Sequence, residues 1–315
     1  MIFEFTKTNG DKVIKNNPVY VYINSRVSVP ADSLTAVFPS GDNNDYKFVR
    51  VIYDEKVIFT GIVDSNKTVI NSKGVSQTYQ CRSLAGCLLD TQLIPQNIQN
   101  ITDTIIYHRY LRKYGISVKV LSNKPINGVL NVGRGKSVYT LLSTYCKKLF
   151  DAEPRINQWG EAVLDGKINS GSFVFTNGYN NLSKNCYSCS EINIENSRYG
   201  IIGKVYVRTG VEELGYGLPV INKKANERAV DTVRYLDAST GSGNCIYDAQ
   251  RIIESSNNNA LSLSVVCPCL VYNPLGGTAA VIANGDTYSD LFINGVSYTY
   301  TAAGIFTKIT MNERG

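Results

Sequence analysis

Short runs in which apolar and polar residues alternate occupy both ends of the chain and constrain its fold more than any other feature. The clearest within the first 80 residues are PVYVYINSRVSV and YKFVRVIYDEKVIFTGIVDS, and after residue 260 they are LSLSVVC, AAVIANGD and DLFINGVSYTYTAAGIFTKITMN. Alternation with a period of two is typical of half-buried strands. Several short strands at this spacing predict a small barrel or sandwich, so we predict a β-rich region at each end.

Two dipeptides within these runs carry turn signals. Asp54-Glu55 separates two strand-like runs, and Asn294-Gly295 stands between alternating segments, which is a strong local signal for a hairpin. We predict a hairpin at each dipeptide and take all four residues as candidate interface residues, although plain solvated turns are an equally good reading. Gly61 interrupts the second run, which indicates a bulge or a close approach of another backbone.

The middle of the chain has a helical character. NITDTIIYHRYLRKYG offers Asn100 or Thr102 as an N-cap and ends at Gly115. GRGKSVYTLLSTYCKKLF, from residue 133, places apolar residues at helical spacing. Its GKS sequence matches the second half of a phosphate-binding loop, but the first glycine of that motif would fall on Leu130. We therefore interpret the segment as a turn into a helix, with Ser137 as a possible N-cap.

These patterns predict a mainly β fold with an α+β middle. We expect two small β-barrel domains, a mixed α+β domain between them and a short helical insert. The predicted N-terminal barrel is residues 1–83, and the middle domain is residues 84–188. The second barrel is residues 189–315, with its helical insert around residues 243–256.

Composition argues against several functional classes. The net charge of +6 is mild and the basic residues are scattered, whereas nucleic-acid readers concentrate positive charge on one face. No signal peptide and no apolar run near the ~20 residues of a membrane span are recognisable. His108 is the only histidine, and it reads as a surface residue of a helix. No pair of acidic residues carries a catalytic signature, so we predict neither an enzyme nor a cofactor.

The chain has eight cysteines, and we expect mostly buried free thiols. Two close pairs, Cys186 with Cys189 and Cys267 with Cys269, together offer four thiolate ligands. Structural zinc sites favour two C-x-x-C knuckles at shorter separation, and the second pair here is C-x-C. Zinc is therefore a weak candidate, and our prediction is that no metal is bound.

Four segments in this order resemble the baseplate hub proteins of contractile phage tails and R-type bacteriocins, the late control protein D-like family. YKFVRVIYDEKVIFTGIVDS resembles the family's strand, acidic turn and strand. YQCRSLAGCLLDTQLI is similar to its entry into the central domain. GRGKSVYTLLSTYCKKLFDAEPRINQWGEAVLDG resembles its helix and hairpin, and GDTYSDLFINGVSYTYTAAGIFTKITMN its closing hairpins. Together these segments cover most of the chain.

The resemblance implies a scaffold with two similar β-barrels in each chain. Three copies would form a homotrimer with a ring of six barrels, matching the hexameric tail tube on one side and a trimeric central spike on the other. The implied partners are other copies, the tube protein, the spike protein and other baseplate proteins, with no specific nucleic-acid sequence and no membrane span. Such a protein would be made in the bacterial cytoplasm and then join a phage tail or a bacteriocin particle.

Two alternatives remain open from the sequence. A tail-associated cell-wall hydrolase would need paired acids, a Cys-His arrangement or a zinc site. A stand-alone β-rich binding module would account for the strands and the 21 tyrosines. It would not account for the α+β middle, which is too long to be a linker.

Overall fold

The computed structural model describes residues 1–72, 74–119, 122–178, 185–208, 215–217, 219–237, 245–258 and 260–313. Two compact units divide the chain. Unit 1 contains residues 1–171, 267–277 and 294–308, and unit 2 contains residues 172–266, 278–293 and 309–315. The fold is mainly β with few helices, which confirms the predicted fold class. The predicted domain boundaries after residues 83 and 188 remain a prediction.

The first part of unit 1 is all β, as the alternation predicts. Its strands are β1 (Ile2–Lys7), β2 (Lys12–Asn16), β3 (Tyr20–Arg26), β4 (Ser33–Phe38), β5 (Tyr46–Tyr53), β6 (Lys56–Asn71) and β7 (Gly74–Ser83). They pair in the order β3-β4-β7-β6-β5-β1-β2, so β2 is an edge strand. Lys15 on β2 nevertheless bonds to Tyr79 on β7, four strands away. The sheet therefore curls into a barrel-like shape around Phe3, Phe5 and Phe38.

The strand β6 carries the predicted close approach at Gly61. A Cβ added there would lie 2.1 Å from the backbone oxygen of Arg82 on β7. Any side chain would therefore push the two strands apart, so only glycine fits at this position. This confirms the prediction made from the position of Gly61 in its strand.

The rest of unit 1 up to residue 171 mixes helices with short strands. The elements are α1 (Ala85–Asp90), β8 (Gln96–Gln99), α2 (Asp103–Ile106), β9 (Ser117–Val118), β10 (Val129–Val132), α3 (Val138–Phe150), β11 (Arg155–Ile156) and β12 (Glu161–Val163). A π-helical turn (Tyr107–Leu111) and a 3-10 turn (Arg112–Tyr114) continue α2 as far as Gly115, which is left-handed at φ 72°.

Local sequence signals set the ends of these helices. The Thr102 hydroxyl accepts a hydrogen bond from the N–H of Ile105, and the Ser137 hydroxyl accepts one from the N–H of Thr140 at 3.2 Å. Both are side-chain caps of otherwise unsatisfied backbone donors. The GKS segment is thus a turn into α3, as predicted. The buried face of α3 belongs to a hydrophobic core of unit 1, to which it contributes Val138, Leu141, Leu142, Tyr145 and Cys146.

Unit 2 is built from short strands and two helices. The elements introduced here are β13 (Ser172–Thr176), β14 (Cys186–Ser188), β15 (Glu191–Asn196), β16 (Lys204–Val207), β17 (Val220–Ile221), α4 (Lys223–Glu227), β18 (Val233–Leu236), α5 (Cys245–Asn257), β19 (Leu261–Cys267), β20 (Thr278–Ala283), β21 (Asp286–Thr301) and β22 (Gly304–Glu313). The last two strands begin in one unit and end in the other.

The helix α5 confirms most of the predicted helical insert, whose residues 243 and 244 lie outside the described residues. Its residues Ala249 and Ile253 are buried against Val205 and Val207 of β16. Ile246, which the periodicity also assigned to this face, is 57% exposed. Val205, Val207, Ala249 and Ile253 thus belong to a local core of unit 2 between β16 and α5.

Candidate interface elements

The Asp54-Glu55 hairpin forms where the sequence predicts it. Both residues are exposed and have positive φ values of 50° and 59°, as a type I′ turn requires. The flanking strands β5 and β6 pair directly up to Tyr53 and Lys56. The turn therefore presents two carboxylates at the end of a well-paired ribbon.

Aromatic side chains lie beside this hairpin. The Nζ atom of Lys56 is 5.5 Å from the ring centroid of Tyr272, and that ring meets Trp159 edge-on at 6.4 Å. Trp159 is 43% exposed, on the predicted hairpin between β11 and β12. We call Asp54, Glu55, Lys56, Trp159 and Tyr272 the acidic-aromatic surface. Aromatic residues such as Trp and Tyr are enriched in protein interfaces.

The hairpin predicted at Asn294-Gly295 is wrong. Both residues lie inside the continuous strand β21, Gly295 is buried, and neither has the positive φ of a type I′ turn. The strand pairs with β20 before this point and with β3 after it. Pairing on both sides holds the dipeptide extended and overrides its local turn preference. The actual turn follows Thr301, at residues 302 and 303.

The barrel-like part of unit 1 contains a lysine surrounded by aromatic rings. The Nζ atom of Lys15 lies 4.8–5.8 Å from the ring centroids of Phe5, Phe38, Tyr46 and Tyr79. The same atom forms an ion pair with Asp42 at 2.8 Å. Cation–π attraction and the ion pair both favour the charged amine at this position. Lys15 thereby attaches the edge strand β2 to the interior.

The partners of Lys15 are themselves held in a closed network. Lys15 donates to Gln77 at 3.1 Å and to Tyr79 at 2.6 Å, and the hydroxyl of Tyr79 donates to Gln77 at 2.6 Å. The hydroxyl of Tyr46 donates to Asp42 at 2.7 Å. Burial favours the neutral form of Asp42, but its bonds to Lys15 and Tyr46 outweigh burial and lower its pKa to about 2. The carboxyl of Asp42 is therefore ionised at neutral pH.

A second, deeper ion pair joins β11 to the first part of unit 1. The guanidinium of Arg155 contacts the carboxylate of Asp32 and also donates to the carbonyls of Arg26 at 2.7 Å and Val29 at 3.2 Å. The two side chains are only 5% and 8% exposed. Burial raises the pKa of Asp32, and Arg155 opposes that rise. This pair fixes the connection between β3 and β4.

Neither ion pair was recognised from the sequence. The period of two in KVIKN places Lys15 on the same face as Val13, which was an available signal for an inward lysine. Arg155 lies in a two-residue strand, and its partners are more than 120 residues away. No local pattern indicates such a contact.

The remaining sequence candidates are dispersed. His108 is exposed in the π-helical turn. Cys189 and Cys267 are buried, whereas Cys186 and Cys269 are half-buried. Within the described ranges, no three His, Cys, Asp or Glu side chains come close enough together to share a metal ion. A metal assay on the purified protein tests the zinc hypothesis. Among described helices, none is long and apolar enough to cross a bilayer.

Comparison with solved structures defines the fold. A tail protein from Neisseria meningitidis superposes with a TM-score of 0.72 at 15% identity, over 99% of this chain and 97% of that one. The 43 kDa tail protein of prophage MuSo2 from Shewanella oneidensis has a TM-score of 0.76 at 12% identity, over 100% and 98%. No protein-family model matches the sequence, and no curated protein matches it.

A third similar structure comes from a secretion system. It is an Escherichia coli component of the type VI secretion system, described as similar to the T4 bacteriophage tail proteins gp27 and gp5. Its TM-score is 0.52 at 10% identity, over 95% of this chain and 74% of that chain. The fold of this chain is thus one found in phage tail proteins and in a component of the type VI secretion system.

Proposed function

We propose that this chain is a structural, non-enzymatic hub of a phage tail or tail-like particle. Three copies form a ring that contacts a tail tube on one side and a central spike on the other, and further baseplate proteins bind around it. The observation that carries the proposal is the fold similarity to two tail proteins over almost the full length of all three chains. The order of the sequence segments that resemble baseplate hubs supports it independently.

The two predicted β-barrel domains give the proposal its symmetry. If each chain supplies two similar barrels, three chains present six similar surfaces to a sixfold tube. Superposition of residues 1–83 on residues 189–315 in an experimental structure is therefore a direct test. Two unrelated β folds would remove the basis for the pseudo-sixfold ring.

The acidic-aromatic surface is the part of unit 1 that we assign to partner contact. Its carboxylates, Asp54 and Glu55, are exposed at a rigid turn, and its rings supply apolar area with few rotatable bonds. An obligate contact within the ring would bury more than about 2,000 Å², so this surface would form only one part of it.

Light scattering after size exclusion tests the oligomer. The expected mass is that of three chains of 34.7 kDa, either for the protein alone or, when a candidate spike protein is added, with the mass of the bound spike in addition. A monomer under both conditions, with no complex, would contradict the hub and favour a stand-alone binding module. A clearing zone on a peptidoglycan zymogram would instead favour the hydrolase.

A matched pair of charge reversals tests the surface. We expect Glu55→Lys to lower the fraction of assembled protein several-fold and to leave the unfolding midpoint unchanged, because the residue is exposed at a turn. Glu254→Lys, on the exposed side of α5, is the control and should assemble normally. Equal assembly of the two variants would remove this surface from the interface.

A further inference from the structure

A small sheet of unit 2 has one face covered by a helix and an opposite face that carries tyrosines. The order of its strands is β17-β16-β18. Val205 and Val207 of β16 point towards α5. Because side chains alternate along a strand, Lys204, Tyr206 and Arg208 point to the opposite side. We call this side the tyrosine face.

Three tyrosine rings lie in contact on this face. Tyr206 of β16 stands directly beside Tyr235 of β18 in the parallel register, with ring centroids 5.5 Å apart and planes 21° apart. Tyr216 meets Tyr235 edge-on at 5.0 Å. Tyr235 is 65% exposed and Tyr216 is 40% exposed. These residues form an aromatic cluster at the surface, where each phenol hydroxyl is able both to donate and to accept hydrogen bonds.

The charges around the cluster are neutralised in pairs. Lys204 lies 3.9 Å from Asp231, and Arg208 lies 3.6 Å from Asp237. A nucleic-acid platform combines stacking rings with an unbalanced positive groove. Here the two cations that β16 and the residue after it place on the tyrosine face, Lys204 and Arg208, each have a carboxylate partner, so the face has little net attraction for an anionic ligand.

The face also lacks the dry centre of a protein–protein interface. Its exposed apolar residues, Ile221 and Val233, stand on either side of Lys204 in the register of the three strands. A lysine thus separates the two aliphatic side chains, whereas the cores of interfaces are depleted in charged residues. What remains is an exposed surface of aromatic rings, hydroxyls and paired charges.

We propose that the tyrosine face binds a neutral carbohydrate. A sugar ring has an apolar C–H face that stacks on an aromatic ring, and hydroxyls that exchange hydrogen bonds with phenols, carboxylates and amines. Both requirements are met within one face, by Tyr235 with its two aromatic neighbours and by the two ion pairs. This inference goes beyond the hub function, because its test measures the binding of a sugar and not the assembly of a ring.

The test uses the full chain on an array of neutral, sialylated and sulfated oligosaccharides. Calorimetry with the strongest neutral binder then measures the affinity of the variants. Tyr235→Ala should lose about tenfold or more in affinity, since it removes the central ring of the cluster. Tyr235→Phe keeps the ring and should lose only a few-fold. Tyr199→Ala removes a 92% exposed tyrosine of the same unit and should bind normally.

Four results would overturn the proposal. The first is binding to no neutral oligosaccharide. The second is binding confined to sulfated or sialylated members and abolished by about 0.3 M salt, which would indicate simple charge attraction. The third is an equal affinity of Tyr235→Ala and Tyr199→Ala. If Tyr235→Ala instead changes only the mass in light scattering, the tyrosine face is a protein contact and binds no sugar.

Discussion

Asp32 and Asp42 lie in the same unit, and each is paired with a cation, yet the pKa values of the two carboxyls shift in opposite directions. Asp42 and its partner Lys15 are 28% and 14% exposed, and the pKa of Asp42 is lowered to about 2. Asp32 and Arg155 are 8% and 5% exposed, and the pKa of Asp32 is raised. The two carboxyls differ in how deeply they are buried, and this difference explains the opposite directions of their pKa shifts.

The opposite shifts show under which conditions a cationic partner outweighs the effect of desolvation on the pKa of a carboxyl. At Asp42, solvent still reaches the carboxylate, so the bonds from Lys15 and Tyr46 prevail over burial. At Asp32 the loss of hydration is nearly complete, and even a guanidinium does not compensate for it. We therefore expect the deep pair to be costly to break, and the Lys15 pair to respond more to pH and salt.

Arg155→Met should have the largest effect. It removes the cation that pairs with the buried Asp32 carboxylate and the guanidinium donor of the Val29 carbonyl, whereas the Arg26 carbonyl keeps its bond from the N–H of Val29. This loss should cost about 3–5 kcal/mol of unfolding free energy in urea. Arg134→Met, at an exposed position, is the control. The double variant Arg155→Met with Asp32→Leu should recover much of the loss. If the single variant is as stable as the wild type, the depth argument fails.

Lys15→Met should cost less, about 1–2 kcal/mol. Methionine keeps most of the apolar stem among the rings but removes the charge that pairs with Asp42, which still accepts from Tyr46. Lys12→Met, on the same strand but exposed, is the matched control and should be nearly neutral. Hydrogen exchange of β2 should rise only in the Lys15 variant, because that residue attaches the edge strand. Equal exchange in both variants would contradict this role.

Lowering the pH should change the contributions of the two carboxyls to stability in opposite directions. The lowered pKa of Asp42 means that its stabilisation is complete above its unfolded value, about 3.9, and is lost as the pH falls towards about 2. The stability difference between the wild type and Asp42→Asn should therefore shrink by about 1 kcal/mol over that range, allowing for partial exposure. For Asp32 the raised pKa predicts the reverse, a contribution that falls as the pH rises from about 3.9. A constant difference for Asp42→Asn would refute the first shift.

Salt should give the smallest effect. In double-mutant cycles, the coupling energy of Lys15 with Asp42 should fall by about 0.5 kcal/mol between low salt and about 1 M NaCl, because ions screen a partly exposed pair. The coupling of Arg155 with Asp32 should change less, since ions do not reach it. Equal salt dependence of both couplings would mean that the two sites do not differ in solvent access.

The two predicted hairpins show where a local sequence pattern predicts the structure correctly and where it fails. At Asp54-Glu55 the flanking runs pair with each other, so the turn signal and the fold agree. At Asn294-Gly295 the stronger signal fails, because the two halves of β21 pair with different strands, β20 and β3. The free energy of a turn preference is small compared with that of the backbone hydrogen bonds that β21 forms with two different strands. No local sequence pattern indicates which strands those are.

The same limit applies to the sites. Helix caps at Thr102 and Ser137 and the narrow space at Gly61 follow from residue type and neighbouring pattern. The aromatic surroundings of Lys15, the Arg155 pair and the tyrosine face each join residues far apart along the chain. Tyr206 and Tyr235, for example, meet because β16 and β18 are parallel neighbours.

The strand-rich ends, the helical middle, the cap at Ser137 and the close approach at Gly61 were predictable from the sequence, because periodicity and backbone preference act over a few residues. The choice of strand partners, the buried ions and the rings that share a surface became visible only in the folded structure. Those outcomes depend on the simultaneous burial of segments that lie tens to hundreds of residues apart, and such long-range competition leaves no signature within any one segment.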